Sequence, residues 1–431
     1  MITEIRNRLG DVAFKERHRV RTNRFERNRK LPFMLIIVLI LRKSAKGLQT
    51  VLNEISGQLG NVLVTASAFS QARQHLADSA FVELNQACIL PFCYQDEAHQ
   101  RYRGYRVLAG DGSLLRLPEH PSILAHFGTI AISNGQEGVR KAYYCGGQAY
   151  VLHDVLNKVA VDAQLTAPSR SEGDLAALAL AATEPHDLLL YDRNFASYQL
   201  IAHHAKQQRH FVIRCSKGSF QAARDFFQAD QEGSRQVLLH AAPDAKKALR
   251  KLDLPLSVCV RFIAVRLPTG ELEVLVSSLV DELTFPTPDF KAIYQLRWGV
   301  ETLYDVLKTR LSLENFSGKT ATAVLQEFHA TIFLTGLESL LTAEADAQLA
   351  ARSASNQLGQ TVNNMVSFAA IKQQAIDLLL SAQDPTLLLD QLTQLFLMNP
   401  TYTRRQRNPP RRTINDRTAL NFLRYRRKIC F

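Results

Sequence analysis

Two apolar runs, each closed by an aspartate, most limit how this chain can fold. Val107-Leu108-Ala109-Gly110 leads into Asp111, and Leu188-Leu189-Leu190-Tyr191 leads into Asp192. Short continuous apolar runs of this kind signal buried strands. Buried strands seldom end in a carboxylate without reason, because an isolated charge is costly at the edge of a core. Neighbouring strands can bring two such ends together. Neither acid is decisive alone. Asp111-Gly112 is a common turn pair, and Asp192 could be a helix N-cap or an ion-pair partner.

The surrounding pattern predicts a mixed α/β sheet. From Tyr105, YRVLAGDGS, AYVLHDVL and VAVDAQL read as strands, the last two joined by a tight turn at Asn157-Lys158. Ser171-Glu172-Gly173-Asp174 fits a capping-box start for the helix DLAALALAA. DLLLYD and HFVIRCS are strands around the helix ASYQLIAHHAKQQ. The order strand, strand, strand, helix, strand, helix, strand gives antiparallel neighbours first and crossover helices later. Over 217–290, QVLLHAA, LSVCVRFIAVRLP and ELEVLVSSLV read as an all-β insertion, with LPTGELE as a hairpin connection.

A third acid lies in YQLRWGVETLYDVLK. Tyr294, Arg297, Glu301 and Lys308 stand at i, i+3, i+7 and i+14. On a continuous helix at roughly 100° per residue they fall within about 60° of one another. Leu296, Val300, Leu303, Leu307 and Leu311 occupy a separate apolar face. An acid, two cations and a phenol on one stripe suit a metal ligand beside phosphate-binding groups, although near charges on a solvated face are the bland reading. By geometry alone Asp305 shares the stripe and competes with Glu301. Three acids from distant segments match two-metal phosphoryl chemistry. There, oxygen-seeking divalent ions need one or two carboxylates each, Arg grips phosphate bidentately and Lys acts as a point charge.

Other chemistries fit poorly. There is no GxxxxGK[ST] loop, Leu114 spoils a GxSxG elbow at Gly110–Leu114, and His203-His204 has no acid motif nearby. The six cysteines form no CxxC pair or zinc spacing and read as reduced thiols of a cytosolic protein. The apolar run Leu31–Leu41 is eleven residues, short of the ~20 that span a bilayer, and reads as a buried helix. Lys plus Arg number 52 against 40 Asp plus Glu, a formal charge of +12, which favours nucleic acid over membrane. The excess gathers in residues 6–30 and in a tail from Thr403 that runs from Arg404 to Lys428.

These residues resemble the bacterial insertion-sequence transposases of the DDE type, in the IS-four group. That group has an acid at the first strand, a D-R-G/N-F/Y segment and the signature Y-x2-R-x3-E-x6-K. Here these are Asp111-Gly112-Ser113, Asp192-Arg193-Asn194-Phe195, and Tyr294, Arg297, Glu301 and Lys308. The resemblance covers roughly residues 30 to 340. It implies an RNase H-like sheet flanked by helices, with the β-rich insertion before the helix of the third acid. It implies Mg²⁺ (or Mn²⁺) held by Asp111, Asp192 and Glu301, and favours Glu301 over Asp305. Tyr294, Arg297 and Lys308 would then hold transposon-end phosphates, with Arg193 as a further DNA contact.

The implied reaction is hydrolysis at the element end, then attack of the freed 3′-OH on target DNA. The implied partners are terminal inverted repeats, target DNA and at least a second copy of the chain, with no membrane, in the bacterial cytoplasm at the nucleoid. Some members stack a flipped base on an aromatic residue of the insertion. The single tryptophan, Trp298, lies in the signature helix instead. Two other functions share the residues: a metal-dependent nuclease of the same fold without strand transfer, and a DNA-binding protein without catalysis. The expected divisions are a helical, basic DNA-binding region over 1–100, catalytic parts over 101–216 and 291–345 around the insertion 217–290, and a helical region with a basic tail over 346–431.

Overall fold

The computed structural model describes residues 1–26, 30–44, 46–58, 63–95, 99–132 and 142–404. Arg27, Arg29, Cys430 and the Arg-rich tail beyond Arg404 lie outside the described residues. The chain forms two compact units. The first comprises Met1–Glu97, Leu115–Gly147 and Asp305–Phe431, and the second Ala98–Leu114 and Gln148–Tyr304.

Eleven strands follow in chain order: β1 (Arg106–Arg116), β2 (Thr129–Ile132), β3 (Ala142–Asp154), β4 (Val159–Thr166), β5 (Asp187–Tyr191), β6 (His210–Arg214), β7 (Gly233–His240), β8 (Ser257–Arg266), β9 (Leu272–Ser277), β10 (Leu358–Val362) and β11 (Pro400–Arg404). The fold is mixed α/β, built on a nine-stranded sheet. In the second unit the order is β4-β3-β1-β5-β6-β9-β8-β7. β1, β5 and β6 are parallel, and β9, β8 and β7 continue the sheet antiparallel from β6. β2 pairs with the first residues of β3 inside the first unit.

The apolar runs explain the centre of this order. All five residues of β5 are buried, and Val107, Leu108 and Ala109 of β1 are inaccessible to solvent. One face carries Leu108, Tyr150, Leu152, Leu189 and Tyr191 against Leu175, Ala176 and Ala179 of the helix Glu172–Ala179 and Leu200 and Ile201 of the helix Tyr198–Gln207. Ser171 caps the first of these helices, its Oγ accepting from the Asp174 N–H at 3.1 Å. The β3–β4 turn falls at the expected place, with Lys158 at φ 58°. The β8–β9 hairpin turns through Gly270 at φ +85°.

Two expectations change. The segment 217–290 is not all-β, since the helices Gln221–Ala229 and Lys246–Lys251 interrupt its strands. The first buries Ala222 and Ala223 on the sheet with Phe226 and Phe227 packed beside them, an apolar stripe at helical spacing. β1 also runs five residues beyond Asp111 rather than ending there.

In the first unit the 32-residue helix Ala321–Arg352 packs against the helices Phe33–Leu41, Ser79–Leu84 and Thr386–Met398. Phe33–Leu41 is buried along its length except at Met34, as its composition predicts. A buried ionic cluster joins distant segments. Glu327, 1% exposed, pairs with Arg73 at 2.9 Å and Lys43 at 3.4 Å and accepts from the Ser317 N–H at 2.9 Å. Among the described residues no disulfide forms, and Cys259 is exposed. Among the described residues no helix is long and apolar enough to cross a membrane.

Candidate active site

Parallel register brings the two strand aspartates side by side. The last β1–β5 pair is Gly110 with Tyr191, so Asp111 and Asp192 are the next residue on each strand. In open α/β sheets the carboxyl ends of parallel strands are where ligands gather, because side chains there leave the packed layer. Gly110 permits the approach. A Cβ at that position would lie 2.2 Å from Tyr150 Oη and 2.7 Å from Tyr191 Cε1. Asp192 leaves β5 in extended conformation and caps the 3-10 turn Arg193–Phe195, its Oδ1 accepting from the Asn194 N–H at 2.9 Å. Arg193 beside it is exposed.

Asp111 is the electrostatically strained member. Its Oδ1 accepts from the Gly112 N–H at 2.9 Å. Burial pushes its carboxyl up to about 7, Asp192 and Glu301 push the same way, and Arg297 opposes them. Desolvation disfavours the charged form, and two nearby like charges add to it.

The signature segment is not one helix. Tyr294 ends up on the helix Asp289–Gln295, Arg297 in a two-residue turn, and Glu301 on the helix Trp298–Asp305. Tight bonds mark the turn, from Arg297 N–H to Tyr294 O at 3.1 Å and from Val300 N–H to Arg297 O at 3.2 Å. Val306–Arg310, with Lys308, is a π-helical turn and belongs to the first unit. The ideal stripe drawn at 100° per residue therefore does not exist, because spacings of i−3 and i−5 wind the segment tighter and then looser than an α-helix.

The second unit still brings Tyr294, Arg297 and Glu301 together. Arg297 Nη2 donates to Glu301 Oε1, and the guanidinium carbon lies 5.9 Å from the Tyr294 ring centroid and 5.3 Å from that of Trp298. Burial opposes the Arg297 charge, but Tyr294, Glu301 and Asp111 outweigh it and raise its pKa. Tyr294 is 4% exposed, and burial drives its phenol well up. Asp305 is exposed in the first unit and accepts from Thr309 Oγ1 at 2.8 Å.

Sequence reasoning missed two residues at this place. Tyr304 Oη donates to the Asp111 carbonyl at 3.1 Å. Glu172, read from sequence only as part of a cap, lies against Gly112, and burial, then the Asp192 charge, raises its pKa. No spacing links residue 172 to residue 112, so only tertiary contact could find it. His204 is a core residue, its Nε2 3.2 Å from Tyr191 Oη.

Among the described residues no group of three or more His, Cys, Asp or Glu side chains stands close enough to hold a metal ion. Asp192 and Glu301 act on the charge of Asp111, but the three acids do not form a closed ligand cage. Their chemistry nevertheless suits a hard divalent cation. They are all-oxygen donors, and Asp111 is half-buried with burial and two like charges opposing its anion.

Comparison with known proteins gives the family. The chain is 25% identical over 293 residues to the transposase InsG for insertion sequence element IS4 of Escherichia coli (strain K12), covering 65% of this chain and 63% of that protein. It thus spans less than two thirds of that relative's length. The solved synaptic complex of piggyBac transposase with hairpin DNA aligns over 98% of this chain and 87% of its own, at 11% identity and a TM-score of 0.43. A family model described as transposase DDE domain matches residues 102–336, more than half of the chain and including Asp111, Asp192 and Glu301. The chain belongs to the DDE transposase family.

Proposed function

We propose that this protein is a DNA transposase that cleaves the ends of an insertion sequence and joins them to target DNA. The observation that carries the reading is the meeting of Asp111, Asp192 and Glu301 within one electrostatic field in the second unit, under a family match. We read the sheet as RNase H-like, the metal as Mg²⁺ or Mn²⁺ and its ligands as these three acids. Asp111, Asp192 and Glu301 would hold the cation, which would supply activation of an attacking oxygen and charge stabilisation at a leaving one.

The chain's own residues supply the rest. Arg297 has a planar fork suited to a phosphate oxygen pair, and Tyr294 and Trp298 flank it. In the free protein that fork is turned to Glu301. A DNA phosphate offers the guanidinium another anion, which releases Glu301 for a cation. Tyr304 anchors the Asp111 backbone. Lys308 and Arg193 complete the proposed DNA contacts. The substrates are terminal inverted repeats and target DNA, and the working form is a homodimer or larger assembly on paired ends, in the bacterial cytoplasm at the nucleoid.

The test uses a duplex carrying the DNA that flanks the coding region. In Mg²⁺ the full chain nicks this duplex and then yields strand-transfer products from a 3′-OH donor end. Asp192→Ala and Glu301→Ala abolish both while retaining DNA binding. Full cleavage by Glu301→Ala sinks the assignment of that residue, and cleavage without joining makes the protein a nuclease.

A further inference from the structure

Gly112 follows Asp111, yet its backbone does not require glycine, because its φ is not positive. It provides room instead. A Cβ there would lie 2.2 Å from Glu172 Oε1, 2.5 Å from Cδ and 2.7 Å from Cγ. The carboxylate of Glu172 can occupy this place only because residue 112 has no side chain.

Glu172 opens the helix Glu172–Ala179, and a helix dipole favours an acid there. The dipole would serve equally well with the side chain in solvent, as for the exposed Asp174. Glu172 instead turns inward. Among the described residues it makes no ion pair. Its carboxylate accepts from Gln148 Nε2 at 3.1 Å, and it lies in the field of Asp192. A half-buried carboxylate packed on backbone, with a neutral amide as its side-chain donor, is unfavourable until a cation is supplied.

A separate observation points to a ligand at the same site. Arg297 is 6% exposed, reaches towards Glu301 and Asp111, and leaves its Nε–H without a hydrogen-bond partner. Buried donors are rarely left so, and a phosphate oxygen is the acceptor such a group would take.

We propose that Glu172 is a fourth carboxylate of the site and takes part with Asp192 in binding the divalent cation. The inference rests on the transposase reading. It explains two otherwise unrelated features, a glycine without a backbone reason and an inward acid without a cation. Its chemical class is a hard oxygen donor, so it adds affinity for Mg²⁺ or Mn²⁺ over softer ions.

Mn²⁺ alone, titrated into the full chain and followed by electron paramagnetic resonance of the free ion, reads the site without DNA or turnover. E172Q keeps the side-chain shape, removes the charge, and weakens Mn²⁺ binding about tenfold or more. G112A keeps every acid but forces the Glu172 carboxylate from its place, and weakens binding to a similar degree. The double variant G112A/E172Q is no weaker than E172Q, because both changes remove one interaction. Should E172Q not fold, E172D replaces it with the same expected loss, since one methylene fewer withdraws the carboxylate. Wild-type affinity in E172Q, or losses that add in the double variant, overturns the inference. If the wild type binds Mn²⁺ and nicks the flanking duplex, that outcome leaves the transposase reading intact. A wild type that neither binds Mn²⁺ nor nicks overturns both.

Discussion

Gly110, Asp111 and Gly112 show how one short motif can be legible and misread together. The acid was visible in sequence as charge after an apolar run. Gly112 read as half of a turn pair, but both glycines lie inside β1 and are there for close approach, Gly110 to Tyr150 and Tyr191 and Gly112 to Glu172. Gly110→Ala places a methyl 2.2 Å from Tyr150 Oη. The expected loss is about 1–3 kcal/mol of stability, measured by urea unfolding, as for other overpacked cores. Tyr150→Phe in that background removes the nearest clashing atom and recovers part of the loss. No recovery would locate the strain elsewhere. Glu301 was separable from Asp305 in sequence only through resemblance. In the fold, Glu301 acts on the Asp111 charge, while Asp305 is exposed and bonded to Thr309.

At the scale of elements, the interrupted signature helix matters most. Its tight turn at Leu296-Arg297 directs Arg297 back onto Glu301, and Gly299 lets the following helix lie close to Val155. Gly299→Ala puts a Cβ 2.8 Å from Val155 Cβ and Cγ1. It shifts the helix that carries Glu301, and cleavage falls by roughly 10²-fold while DNA binding holds, since displacements of about 1 Å have such effects. Unchanged cleavage would show that the helix start yields without moving Glu301.

The helix Ala321–Arg352 makes a second prediction through Glu327. Burial would raise its carboxyl, but Lys43, Arg73 and Ser317 reverse this and hold it at about 2 against an ordinary 4.5. A folded-state pKa below the unfolded one stabilises the protein above the unfolded value. The contribution is thus whole above about pH 4.5 and is lost as pH falls towards 2. Glu327→Gln leaves Arg73 and Lys43 without their charge partner and costs about 3–5 kcal/mol near neutrality. It also flattens the acid limb of stability, seen in urea titrations between pH 6 and pH 2.5.

For the whole molecule, charge is the property read most directly from sequence. The tail beyond Arg404 holds Arg405, Arg407, Arg411, Arg412, Arg417, Arg424, Arg426, Arg427 and Lys428, with Asp416 as its one acid. Ending the chain at Arg404 lowers non-specific DNA affinity and makes log K less steep against log salt, because fewer counterions are released. An unchanged slope in a fluorescence-anisotropy titration would assign the phosphate contacts elsewhere.

Sequence by itself determined what local chemistry can encode: which runs are buried strands, where helices are capped, which acids sit beside apolar cores, and the family. Apolar continuity and spacing carry that information because they depend on neighbours within a few residues. Tertiary structure alone decided the rest. Parallel register set Asp111 beside Asp192. Winding that departs from 3.6 residues per turn broke the apparent stripe at Arg297 and again at Val306. Contact across sixty residues of chain laid Glu172 on Gly112. Each is a long-range steric or electrostatic outcome, and no pattern confined to one segment contains it.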